Sequence, residues 1–104
     1  MVTDEIVNKI LLEKFDLEPE EMASAKKVAE KYAEKIGHLT DYEEIKLEMK
    51  IHHKDKNKHF EIKGLVVYNR NKVYSEVSDV NPLRAVDAVL NKLLNEIKHK
   101  TEND

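Results

Sequence analysis

Three of the five histidines lie within one ten-residue segment, "IHHKDKNKHF" from Ile51 to Phe60, together with three lysines. Imidazoles and ammonium groups at that density suggest two chemistries, ligation of a metal ion or contact with a polyanion. In an extended chain, the adjacent His52 and His53 point to opposite faces, so both cannot readily bind one ion. A further ligand would have to come from across a hairpin. Ile51 and Phe60 both belong to an apolar face, and that parity leaves a two-residue turn at Asp55-Lys56 or at Lys56-Asn57. The first sets His52 against His59; the second sets His52 against Glu61 and His59 against Lys54. Even the first register supplies two imidazoles, short of a structural zinc site, so no metal and no cofactor is expected. What remains is a tip carrying Lys54, Lys56 and Lys58, either a solubilising charged turn or a contact for a phosphate backbone.

Other chemistry is sparse. There is no G-x-S-x-G, no H-E-x-x-H and, with two glycines in all, no glycine-rich phosphate cradle. Ser24, Ser75 and Ser78 are the only serines and stand in no nucleophile context, so neither an enzyme nor a small-molecule substrate is expected. The absence of cysteine removes disulfides and thiolate chemistry and fits a reducing cytoplasm. No apolar run approaches the ~20 residues that span a bilayer, so no membrane partner is expected. The net charge of −3 conceals an asymmetry. Residues 1–45 carry six Lys against twelve Asp and Glu, whereas residues 46–100 carry twelve Lys and Arg against seven. The second half is the candidate for nucleic acid.

These residues must be positioned by elements that the periodicity predicts. Thr3 to Phe15 reads as a helix, with Ile6, Val7, Ile10, Leu11 and Phe15 at three- and four-residue spacing, giving an N-terminal helical extension over residues 1–17. "DLEPEE" ends it, and Pro19 begins a second helix that runs to about Ile36. Its apolar stripe is Met22, Ala25, Val28, Ala29, Tyr32 and Ile36, with Gly37 as a left-handed C-terminal residue. Alternation then takes over. Ile45, Leu47, Met49 and Ile51 mark one strand, Phe60, Ile62, Gly64 and Val66 a second, and Val73, Ser75 and Val77 a third. A turn at Asn69-Arg70 sets Val66 against Val73, Gly64 against Ser75, Lys63 against Glu76 and Leu65 against Tyr74. The small Gly64–Ser75 pair admits a closely packed helix. Asn81 caps and Pro82 begins the last helix, whose apolar face is Leu83, Val86, Val89, Leu90, Leu93 and Ile97.

The order α-α-β-β-β-α implies one α+β domain over residues 1–104. It would have two layers, a three-stranded antiparallel meander, or a four-stranded sheet, with two helices on one face plus the N-terminal helix. The core would span 18–100, with a disordered tail at 101–104. Lys27, Lys31 and Lys35 line one side of the second helix, and Arg84, Lys92, Lys98 and Lys100 lie on the last. On one side of the sheet these could merge into a basic surface. On the other face Leu65, Val67 and Tyr74 cluster, to be covered by the first helix or by a partner chain, such as a second copy.

The segment from Phe60 to Lys100 resembles the ribosome hibernation-promoting factor and protein Y family. "AVDAVLNKL", Ala85 to Leu93, is similar to that family's last helix, and "KHK", Lys98 to Lys100, to its basic end. "EIKLEMKI" and "ASAKKVAEKYAEKI" fit in kind and order, so the resemblance covers about residues 20–100. Two features depart from the pattern: the family begins with an edge strand where "TDEIVNKILLEKF" reads as helix, and Asn95 replaces a frequent basic residue. The resemblance implies binding of small-subunit rRNA near the decoding centre and silencing of translation. It carries over Lys92, Lys98 and Lys100 first, then Lys27 and Lys31. A double-stranded RNA-binding domain shares the α-β-β-β-α order, but its basic cluster at the start of the last helix is here "NPLRAVDA", with Arg84 alone. The second reading, of a different class, is a homodimerising protein-interaction module in which Leu65, Val67, Tyr74 and the first helix form the interface.

Overall fold

The structure, a computed structural model, describes residues 3–7 and 9–102. Five strands, β1 (Thr3–Val7), β2 (Ile10–Phe15), β3 (Tyr42–Lys54), β4 (Asn57–Tyr68) and β5 (Asn71–Asp79), form one sheet in chain order. Helix α1 (Pro19–Leu39) connects β2 to β3, which are parallel neighbours; every other strand pair is antiparallel. Helix α2 (Pro82–Glu102) follows β5 and packs beside α1 on the same face of the sheet. The architecture is α+β, a mixed five-stranded sheet under two helices.

The meander takes the first of the two registers open to its first hairpin and the expected register at its second. Its first hairpin turns at Asp55-Lys56, so His52 faces His59, and the second sets Leu65 against Tyr74 and Gly64 against Ser75. Asp55, Lys56, Asn69 and Arg70 all have positive φ, which is how a two-residue turn matches the right-handed twist of the strands it joins. At Gly64 a methyl group would lie 2.7 Å from Leu93 Cδ1 and 3.1 Å from Val89 Cγ2, so the missing side chain is what lets α2 settle on β4. The core joins Ile45, Leu47, Ile62 and Val66 of the sheet to Ala25, Ala29, Ile36, Val86, Leu90, Leu93 and Ile97 of the helices.

The N-terminal helix expected over residues 1–17 is instead the hairpin β1–β2. In β2 the buried residues are Ile10, Leu12 and Phe15, two and then three apart. The longer step is a bulge. Lys14 has a φ of 59° and the β1–β2 register shifts beside it, which returns Phe15 to the core face. That three-residue step, added to Ile6, Val7, Ile10 and Leu11, imitates helical spacing. The sheet is therefore five-stranded rather than three- or four-stranded, with β2 as the strand that the resemblance requires before α1 and β1 added outside it at the edge. Two smaller corrections concern helix ends. Gly37 lies within α1, which ends at Leu39 because that side chain still packs on the core, and Thr40 N donates to Ile36 O. Thr101 and Glu102, assigned to the tail, continue α2; residues 103–104 lie outside the described residues.

Candidate nucleic-acid interface

Each helix follows a strand and returns along the sheet, so both run antiparallel to β3 and β5 and parallel to each other, and among the described residues one polar bridge ties them. Tyr32 Oη donates to Asp87 Oδ1 at 3.0 Å, and Lys35 Nζ lies 5.2 Å from the centre of the Tyr32 ring. Burial, first, and the Asp87 carboxylate push the Tyr32 hydroxyl above its ordinary pKa, so it remains a donor. With α1 buried along Met22, Ala25, Ala29, Tyr32, Ala33 and Ile36, the step-of-four series Lys27, Lys31 and Lys35 is exposed along its outer side. Lys35, over the Tyr32 ring, lies on the α2 side of that series, while Lys27 and Lys31 are exposed to solvent. Lys26, not among the expected residues, turns the other way and pairs with Glu5 of β1.

The basic residues of α2 do not form a single stripe. Arg84 is held by Asp79 through Nε to Oδ2 at 2.8 Å and Nη2 to Oδ1 at 2.9 Å. Asp79 also accepts from Asn81 N, and Asn81 Oδ1 in turn accepts from Leu83 N and Arg84 N, so the pair belongs to the N-terminal cap of α2. The guanidinium, with the Asn81 amide behind it, holds the Asp79 carboxyl at about 2, below the ordinary 3.8. Lys92 and Lys98 are six positions apart and so point roughly 120° away from each other. Lys92 faces the β5 side, in a groove with Tyr74, Ser75, Asn95, Glu96 and His99, whereas Lys98 is exposed and turned out of that groove. Lys98, His99 and Lys100 are exposed in the last turns of α2, at the end of the domain that also carries the Asn69-Arg70 turn. Among the described residues no acid pairs with Lys27, Lys31, Lys92, Lys98 or Lys100.

The tip lysines are elsewhere. Lys54, Lys56 and Lys58 are exposed at the opposite end of the sheet, beside the start of α1, with Lys58 Nζ 5.9 Å from the Phe60 ring centre. His52 Nε2 lies 3.2 Å from Glu61 Oε2, and among the described residues no three potential ligands converge on a metal position. No described helix is long and apolar enough to cross a membrane.

On the outer sheet face Leu65 and Val67 are half-buried and Tyr74 is 68% exposed. No described element covers them. The N-terminal hairpin, expected as a helix that could do so, extends the sheet instead and adds Leu11 and the 74% exposed Ile6 to the same row. Reading the segment as two alternating strands around "NK" would have found both.

No protein-family model matches the chain, and no curated protein matches it in sequence. The fold does have solved neighbours. The N-terminal domain of Thermus thermophilus protein Y superposes with a TM-score of 0.60 at 14% identity, covering 90% of this chain and 97% of that one. A ribosomal subunit interface protein from Coxiella burnetii gives 0.59 at 13%, covering 88% and 92%. The chain has the protein Y N-terminal-domain fold. The resemblance seen in the last helix thus extends to the whole arrangement of helices and sheet.

Proposed function

We propose that this protein is a cytoplasmic, non-enzymatic, ribosome-associated factor that binds small-subunit rRNA in the decoding channel and silences translation. The observation that carries the reading is the match of nearly the full length of both chains to protein Y and subunit-interface folds. Electrostatics support it in part. The exposed series Lys27, Lys31 and Lys35 on α1, with Lys98 and Lys100 in the last turns of α2, offers phosphate contacts that no acid among the described residues neutralises. Lys92 supplies a contact on the other flank of α2, and Lys54, Lys56 and Lys58 supply separate ones at the far tip. Arg84 is the weakest member, since reaching a phosphate requires leaving Asp79. The reading predicts co-sedimentation with 30S particles that falls steeply with added salt, as backbone contacts release counterions. Charge reversal at Lys27, Lys31, Lys98 and Lys100 together should abolish pelleting at moderate salt while circular dichroism stays unchanged. Undiminished pelleting would remove the helix face from the interface, and no pelleting of the unaltered protein at low salt would remove the ribosome.

A further inference from the structure

We infer that β5 is a homodimerisation edge, on which a second copy of this chain adds its own β5 antiparallel to the first and joins two sheets into one. In the β4–β5 hairpin the pair closing the two-residue turn, Tyr68 with Asn71, is a hydrogen-bonded pair, and the type alternates from there. The odd-numbered residues of β5 therefore direct their N–H and C=O toward β4. Lys72, Tyr74, Glu76 and Ser78 direct theirs outward, where the sheet ends. This edge has no bulge, and its inward-facing side chains from Val73 to Val77 include no charge, so the usual devices against strand addition are missing apart from one lysine.

Charge selects the occupant and its register. If the two-fold axis passes beside Tyr74, Tyr74 meets Tyr74 of the other copy, Lys72 meets the other copy's Glu76, and Glu76 its Lys72. All three pairs use outward backbone groups, so each exchanges two hydrogen bonds. Sliding the strands to centre on Glu76 opposes two carboxylates, and centring on Lys72 opposes two ammonium groups; centring on Ser75 pairs neither charge with its complement. The centred register also completes patterns already in the monomer. On the outer face Glu48, Lys63 and Glu76 stand in line across β3, β4 and β5, and Lys72 of the second copy extends that alternation of sign. One row along, Leu65 lies beside the 68% exposed Tyr74, so two Leu65–Tyr74 pairs would meet at the axis and cover each other. A self-complementary patch of this kind is what an isologous interface needs. The paired residues Lys72, Tyr74 and Glu76 are none of those assigned to phosphate contact, so variants at them test the dimer separately from ribosome binding, although Lys92 borders the same groove as Tyr74.

Sedimentation equilibrium of the full chain tests it. The unaltered protein should show a concentration-dependent dimer. Lys72→Glu or Glu76→Lys alone should raise the apparent dissociation constant roughly tenfold or more, since each creates two like-charge pairs. The double exchange Lys72→Glu/Glu76→Lys should restore the dimer, and an equimolar mixture of the two single variants should form a heterodimer. Because the chain has no cysteine, Tyr74→Cys should cross-link to itself under copper phenanthroline, the facing Cα atoms being about 5.5 Å apart, whereas Ser78→Cys should not. A monomer at millimolar concentration overturns the inference. A dimer indifferent to both charge reversals, with Tyr74→Cys failing to cross-link, overturns it equally and moves the contact elsewhere.

Discussion

The two edges of the sheet are built differently, and the contrast shows how a strand is closed or left open. β1 is short, and its register breaks at a bulge where Lys14 N donates to Asp4 Oδ1 at 2.7 Å. Glu5 of the same strand is held by Lys26 of α1. Irregular backbone and tethered charge make that edge a poor template. β5 has an unbroken register with β4, and α2 packs under both strands from one face, close to β4 at Gly64, while no described strand pairs with the outer side of β5. One edge is blunted by local polar chemistry; the other is a regular strand held firm by the core behind it.

The contrast can be broken from behind first. Gly64→Ala drives a methyl group against the buried Leu93 and Val89, and should cost about 1–3 kcal/mol in urea unfolding, because a close-packed core must shift. Hydrogen exchange should then quicken along β4 and β5 and leave β1–β2 largely as it was. A smaller effect is expected at the opposite edge. Asp4→Ala removes an exposed acceptor and should cost below about 1 kcal/mol, with faster exchange confined to the Lys14 amide and its neighbours. Smallest at neutral pH, and visible only in acid, is the cap that follows β5. Asp79 titrates at about 2 in the folded chain against an ordinary 3.8, so its stabilising charge is complete above 3.8 and is lost as pH falls from there through about 2. Acid titration followed by NMR should show the first turn of α2 loosening over that window, and Asp79→Asn should remove the pH dependence.

The meander was legible because its signals are local. Alternating Ile45, Leu47, Met49 and Ile51 fix a face, and parity limits the His-rich hairpin to two turns, of which the structure takes Asp55-Lys56. Both helices were legible from their stripes, with Val28 and Leu83 at the half-buried margins. The N-terminal hairpin was not, because a bulge at Lys14 produced helix-like spacing and because β2 pairs in parallel with β3, across the whole of α1. The lysine set was legible only as a list of exposed cations. Angle and partnership decide their use, and these separate Lys92 from Lys98 and commit Arg84 to Asp79.

By itself, then, the sequence determined the residues that alternate, the turns that reverse the chain and the glycine that admits α2, since each depends on neighbours a few positions apart. Tertiary structure decided the rest: that β2 lies beside β3, that no described element covers Leu65 and Tyr74, and that β5 rather than β3 is an open edge. Those outcomes depend on contacts between distant segments, whose closure no local periodicity encodes.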